Sequence, residues 1–175
     1  MTTIYYAVCA MEFSTSAFAL APNNLNKPPY TRTMNCGSSS GQVMAAVEGN
    51  FAQFGNYSRF FGAESVSFAP PGNMGVGSTI PITVGILGVN QSLSVNVAAM
   101  GPGSMTFTTN PGHLIYPGSI TFAASPAGAG AINFSISISG TVANSAEFNF
   151  GGSGFEDAQW NHFLGQVGSF CGVGH

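Results

Sequence analysis

A segment in which apolar and polar side chains alternate, at positions 131–142, constrains the fold of this chain more than any other feature. One set of alternate positions is apolar and the other is polar: Ile132, Phe134, Ile136, Ile138 and Val142 against Asn133, Ser135, Ser137, Ser139 and Thr141. A period of two is the geometry of a β-strand, whose successive side chains point to opposite faces. The segment therefore predicts an antiparallel sheet with one buried face and one hydrated face.

Shorter segments rich in β-branched and aromatic residues predict the other strands of this sheet. They lie at 3–13, 66–68, 80–86, 93–97, 105–107 and 120–122, with a further short strand at 148–150. Between the first two of these strands, Ser40 is a candidate N-cap for a helix. Gly49 and Gly55 are expected to divide that helix into two short pieces.

The C-terminal segment 154–171 predicts one long amphipathic helix. Its apolar residues fall on one stripe at helical spacing: Trp160, Phe163, Leu164, Val167 and Cys171. A sheet that must bury one face, supplied with a single long helix, is expected to curve around that helix. We therefore predict an α+β fold in which a curved antiparallel sheet of about six to seven strands wraps round the C-terminal helix, with two short helices after the first strand.

Residues 1–175 fit one domain with a buried core. Within it, residues 14–39 contain Pro22, Pro28, Pro29 and several asparagines, which predict a long loop inserted between the first strand and the first helix. Its role as a lid, an interface or an arm is left open by the sequence.

Charged residues make up only 5% of the chain, whereas a typical globular protein has about 25%. Three Lys and Arg residues cannot form the basic surface that holds a nucleic-acid backbone, so no nucleic-acid partner is expected. No apolar run approaches the roughly 18 residues of a transmembrane helix. The three histidines have no metal-ligand spacing, and no nucleotide-binding or nucleophile motif occurs, so we expect no metal or cofactor and identify no catalytic residue.

The three cysteines, Cys9, Cys36 and Cys171, form an odd and sparse set. Such a set favours reduced side chains and, slightly, a cytoplasmic location; the alternative is a Cys9–Cys171 bridge that links the two ends of the chain. The first 21 residues end in Ala-Leu-Ala, but they contain Glu12 and no Lys or Arg, which argues against a signal peptide. The compartment is not determined by these features.

Several motifs, in their order along the chain, resemble the START-related helix-grip superfamily (SRPBCC), which includes polyketide cyclases, lipid-transfer domains and pollen allergens. The motifs are the two-helix segments 43–47 and 51–57, the Phe60-Phe61 pair, the short strand 65–68, the Gly-x-Gly hairpin 75–79 and the closing helix 154–171. The resemblance covers roughly residues 3–13 and 40–171, and the insertion at 14–39 and the low charge depart from it. It implies a helix-grip fold with a cavity between the sheet and the C-terminal helix.

From this resemblance we expect the cavity to bind an apolar or amphipathic small molecule or lipid. The expected ligand-binding residues are Tyr6, His113, Tyr116, Phe134, Trp160, Phe163 and Val167. A cyclase or aromatase on the same scaffold is one alternative. A structural subunit that self-associates through its uncharged surface is another, and the sequence does not decide whether the protein is an enzyme.

Overall fold

The computed structural model describes residues 23–142 and 153–172. The predicted strands at 3–13 and 148–150, together with Tyr6, Cys9 and Glu12, lie outside these ranges. The helices and strands follow one another in this order: β1 Asn23–Asn26, β2 Tyr30–Asn35, α1 Ser40–Gly49, α2 Phe51–Gly55, β3 Tyr57–Arg59, a 3₁₀ turn Phe60–Gly62, β4 Glu64–Phe68, β5 Thr79–Ile86, β6 Val89–Gly101, β7 Ser104–Thr109, β8 Ile115–Pro126, β9 Ala131–Val142 and α3 Ser153–Gly172.

The strands form one curved antiparallel sheet, and α3 packs on its concave face, so the predicted α+β helix-grip architecture is confirmed. The order across the sheet is β1-β9-β8-β7-β6-β5-β4-β3, and β2 also pairs with β9. Because β1 and β2 lie one after the other along the same edge of β9, the described strands number nine and occupy eight positions. The predicted count of six to seven was therefore too low.

Residues 23–35, which the sequence predicted as part of a loop, form the edge strands β1 and β2. Asn23–Asn26 pairs with 139–142 of β9, and Tyr30–Asn35 pairs with 131–136. Pro28 and Pro29 lie in the break between the two strands, where their missing N–H groups interrupt no ladder. The strand that comes directly before α1 and α2 is therefore β2. Within residues 23–35, the predicted loop is replaced by two strands and the short break between them.

The elements with strong local periodicity form as predicted. The alternating segment is β9, Ala131–Val142, and its apolar set is buried. Helix α1 ends at Gly49 and α2 ends at Gly55, which confirms the two short pieces. The N-cap of α1 is Ser39 rather than Ser40: its side chain accepts from the Gln42 N–H, and the Gln42 side chain accepts from the Ser39 N–H at 2.8 Å.

Aromatic rings fill most of the space between the sheet and α3. Phe163 of α3 is fully buried, and its ring lies 5.1 to 6.3 Å from five others: Phe51, Phe54, Phe122, Phe134 and Trp160. Val167, one turn further along α3, is also fully buried. The middle of the domain is therefore a packed core in which little empty volume is left.

Cys36 and Cys171 form a disulfide that joins the segment after β2 to the last turn of α3. The prediction that all three cysteines are reduced was wrong, and the alternative Cys9–Cys171 pairing was wrong too. The bridge forms because Cys36, directly after β2, lies next to the C-terminal end of α3. Disulfides are typical of oxidising compartments, so the cysteines no longer favour the cytoplasm. None of the described helices is long and apolar enough to cross a membrane.

Candidate functional site

One cavity lies between the concave face of the sheet and the first two turns of α3. Its volume is about 100 Å³, and its walls are mainly aliphatic and aromatic. The lining residues come from five strands, one loop and α3: Val66, Phe68, Ile82, Val84, Leu93, His113, Leu114, Ile115, Ile120, Ile138, Glu156, Gln159 and Trp160. The cavity is thus an apolar space that meets a few polar groups on α3 and on the 110–114 loop.

The sheet topology places this cavity toward one end of the domain. In the meander from β4 to β9, the turns 87–88 and 110–114 lie at the end where α3 begins. The turns 69–78, 102–103 and 127–130 lie at the opposite end, together with the Cys36–Cys171 bridge. We call these the open end and the bridged end.

The predicted ligand-binding residues lie in three different environments. His113 and Trp160 line the cavity. Phe134, Phe163 and Val167 are fully buried in the packed core and do not line it. The sixth residue, Tyr116, is 41% exposed at the start of β8, and Tyr6 lies outside the described residues. The part that these side chains play in binding stays a prediction.

Glu156 and Trp160 bring two polar atoms without hydrogen-bonding partners to the cavity. They lie one turn apart on α3. Within residues 23–142 and 153–172, Glu156 Oε1 and Trp160 Nε1 are buried and have no hydrogen-bonding partner. The Trp160 indole N–H lies near enough to the Glu156 carboxyl to oppose the rise in the pKa of that carboxyl. The two groups are nevertheless outside hydrogen-bonding geometry. Buried polar atoms are normally paired, so both atoms are available to a third group.

Glu156 is held in place through its other oxygen. Its Oε2 lies 3.3 Å from Lys27 Nζ, and the same ammonium lies 3.2 Å from Asp157 Oδ1 and 3.2 Å from the Tyr30 hydroxyl. Tyr30 also donates a hydrogen bond to Asp157. Burial raises the pKa of Glu156 above its ordinary value, although Lys27 opposes this effect. In contrast, the hydrogen bond from Tyr30 lowers the pKa of the exposed Asp157.

His113 supplies a third polar group to the cavity wall. Its Nδ1 accepts a hydrogen bond from the Ile115 N–H at 3.2 Å. Burial lowers the pKa of His113 below its ordinary value, so the ring is neutral at pH 7. With Nδ1 as an acceptor, the proton of the neutral ring is on Nε2.

Sequence reasoning missed Glu156 and Gln159 as residues of the site. An acidic residue near the start of a helix is explained by the positive end of the helix dipole, so the position of Glu156 does not by itself indicate a cavity. The available signal was helical spacing: positions 156, 159 and 160 share one face with the apolar stripe. Among the described residues, no group of three or more His, Cys, Asp or Glu side chains could hold a metal ion.

Solved structures with the same fold span the described domain. A solution structure of the KanY protein is 12% identical, with a TM-score of 0.58, and the match covers 83% of this chain and 97% of that one. The Aha1 dimer from Colwellia psychrerythraea is 11% identical, with a TM-score of 0.54 and coverage of 85% and 98%. Ara h 8.0201 is 13% identical, with a TM-score of 0.54 and coverage of 81% and 98%.

These likenesses are at the level of the fold. No protein-family model matches the sequence, and no curated protein is significantly similar to it. The chain therefore shares the helix-grip fold of these structures, the fold that the sequence resemblance implied.

Proposed function

We propose that this protein binds a small, mainly apolar molecule that carries one hydroxyl group, in the cavity beside Glu156 and Trp160. The observation that carries the proposal is the pair of unpartnered buried atoms, Glu156 Oε1 and Trp160 Nε1, in a wall that is otherwise mainly apolar. A hydroxyl is both a donor and an acceptor, so one such group can donate to the carboxylate and accept from the indole N–H.

The cavity volume limits the size of the molecule. About 100 Å³ is below the roughly 300–1,000 Å³ of sites for drug-sized ligands. It is closer to the ~150 Å³ of an apolar cavity that admits benzene. A single-ring alcohol therefore matches the cavity better than a lipid does, since a lipid would have to displace Phe134 or Phe163 from the packed core.

Binding can be followed through the protein's own fluorescence, because Trp160 is the single tryptophan of the chain. Cyclohexanol is a suitable probe, since it is transparent at the excitation wavelength of indole. We expect cyclohexanol to shift the Trp160 emission in a saturable manner. Cyclohexane, a ligand of the same shape without the hydroxyl, is expected to give a smaller change in the position of the emission.

Two substitutions distinguish an effect on the cavity from an effect on the neighbouring ion pairs. Glu156→Met removes the acceptor while retaining a side chain of similar length, and it is expected to weaken cyclohexanol binding about tenfold, as the loss of one hydrogen bond to a charged group predicts. Asp157→Asn is the matched control, because Asp157 also contacts Lys27 but does not line the cavity. Equal cyclohexanol affinity in wild type and Glu156→Met, or no saturable shift in the wild type, would contradict the proposal.

Turnover by a cyclase or aromatase, and self-assembly as a structural subunit, remain predictions from the resemblance and from the low charge. No contact among the described residues favours either over binding.

A further inference from the structure

Four large apolar side chains are exposed together at the open end of the domain. Phe60 and Phe61 belong to the 3₁₀ turn before β4, and Leu87 and Val89 belong to the β5–β6 hairpin. Phe61 is fully exposed, and the exposed fractions of Phe60, Leu87 and Val89 are 65%, 80% and 73%. We call these four residues the apical patch.

The two turns of the apical patch are joined to each other. The Leu87 N–H donates to the Ala63 carbonyl at 2.6 Å, and Glu64 pairs with Ile86 at the adjoining ends of β4 and β5. Val89 pairs with Ile86 across the hairpin. The four side chains therefore form one surface feature on two neighbouring turns, fixed by the edge of the sheet.

Turn geometry does not account for the residues found in the apical patch. Phe60, Phe61 and Leu87 have φ values of 51°, 56° and 50°, in the left-handed region that bulky L residues seldom adopt. At the two-residue turn Leu87–Gly88 both φ values are positive, an arrangement that favours Asn or Asp before the glycine. Exposed leucine and phenylalanine at such positions favour an external partner, because they contribute little to the core.

Among the described residues that flank the apical patch, one positive and one negative charge pair with each other. Arg59, which flanks the apical patch, bonds to Glu64 through its Nε and is stacked 5.0 Å over the Phe60 ring. Between Glu64 and Glu147 the sequence contains no Asp, Glu, Lys or Arg. A partner recognised through complementary charge is therefore disfavoured, whereas an uncharged apolar phase suits this surface.

The exposed area is too small for a stable dimer. At roughly 200 Å² for a whole phenylalanine, the four side chains expose about 500–600 Å² together. A specific protein interface buries about 800 Å² on each partner and requires a complementary shape. A projecting tip meets neither condition. A lipid interface, in contrast, accepts projecting Phe and Leu side chains without any matching surface.

We propose that the apical patch docks the protein on the interfacial layer of a neutral lipid bilayer. The patch lies at the same end of the domain as the cavity, since Val84 of the cavity wall precedes Leu87 by three residues. Docking would thus present the open end to a phase in which small apolar alcohols partition. The inference does not depend on the ligand of the cavity, because the patch shares no residue with its lining.

Flotation with phosphatidylcholine vesicles tests the proposal. The wild-type protein is expected to float with the vesicles, equally at 0.05 and about 0.5 M salt, because no charge pair contributes. The double variant Phe61→Asn/Leu87→Asn is expected to bind at least about tenfold more weakly. Asn adopts the left-handed conformation readily, so this variant keeps the fold, and its thermal unfolding should occur no lower than that of the wild type.

Val76→Ser is the matched control for the vesicle experiment. Val76 is 68% exposed, but it lies in the 69–78 turn at the bridged end. Its substitution should leave flotation unchanged. Failure of the wild type to float, equal flotation of the double variant, or a loss of flotation above about 0.3 M salt would each overturn the proposal. A concentration-dependent dimer that the double variant abolishes would instead assign the apical patch to a second copy of the chain.

Discussion

The two ends of α3 face opposite kinds of environment. Toward the bridged end, Phe163 and Val167 are fully buried and Cys171 is bonded to Cys36. Toward the open end, Glu156 and Trp160 bring unpartnered polar atoms to a cavity, beside two turns with left-handed backbone. The difference indicates that one half of the helix contributes mainly to stability, while the other retains unsatisfied groups that a ligand can use.

Truncation of Phe163 should have the largest effect on stability. Phe163→Ala removes a ring that contacts five other aromatic side chains, so we expect a loss of about 3–5 kcal/mol in the free energy of unfolding. Urea denaturation measures this loss, with Val76→Ser as an exposed control expected to change by less than about 0.5 kcal/mol. A loss below about 1.5 kcal/mol would show that the bridged end is not the more tightly packed end.

Removal of the disulfide should have the next largest effect. The bridge joins residues 135 positions apart, and a closed loop of this length restricts the unfolded chain strongly. Cys171→Ser is expected to lower the free energy of unfolding by about 2–4 kcal/mol and the melting temperature by roughly 5–15 °C. Cys9→Ser is the control and should melt like the wild type. Dithiothreitol should reproduce the effect in the wild type and in Cys9→Ser, but not in Cys171→Ser. Identical melting with and without the reductant would contradict the pairing.

The open end should respond to acid through His113. Because its pKa in the folded protein lies below the ordinary value of 6.5, the unfolded chain binds more protons as the pH falls below 6.5. The free energy of unfolding should therefore decrease from pH 6.5 toward 5, by at most about 1.4 kcal/mol per pH unit.

His113→Asn isolates this contribution. Asn retains an acceptor for the Ile115 N–H but does not titrate. The difference in unfolding free energy between the wild type and the variant should change across this pH window, while the raised pKa of Glu156 affects both proteins equally. Parallel pH profiles of the two proteins would show that His113 is not buried as described.

The smallest expected effect is an increase in the free energy of unfolding. Leu87→Asn places a residue that tolerates positive φ in the two-residue hairpin turn, so we expect the free energy of unfolding to rise by about 0.5–1 kcal/mol. Thermal denaturation measures it, and Val89→Thr, on the neighbouring strand, is the control without a change in turn chemistry. A destabilised Leu87→Asn variant would mean that Leu87 contributes to folding, and the contrast between the two ends would be weaker.

The elements predicted correctly from the sequence are those whose pattern is local. The alternation of 131–142 and the stripe on 154–171 are complete within their own segments, so no distant residue is needed to identify them. The strands β1 and β2 could not be predicted in this way. Their asparagines and prolines favour a loop, and the strand conformation results from pairing with β9, about a hundred residues away.

The disulfide and part of the site could not be predicted from the sequence, because they too depend on this long-range pairing. Cys36 meets Cys171 only because β2 lies on β9, and Lys27 meets Glu156 for the same reason. His113 and Trp160, two of the predicted residues, do line the cavity, because both neighbour apolar segments that must face the core. Glu156 was missed because its place near the helix start has a sufficient local explanation.

The low charge of the chain has a consequence for proteolysis. Its three basic residues are Lys27, Arg32 and Arg59, so no trypsin cleavage site exists between Arg59 and residue 175, even in the unfolded chain. Cleavage after Arg32 and Arg59 yields fragments 33–59 and 60–175, which the Cys36–Cys171 bridge keeps covalently joined. A protease of trypsin-like specificity therefore cannot separate strands β4 to β9 from α3, and fragment 33–59 is released from 60–175 only after reduction.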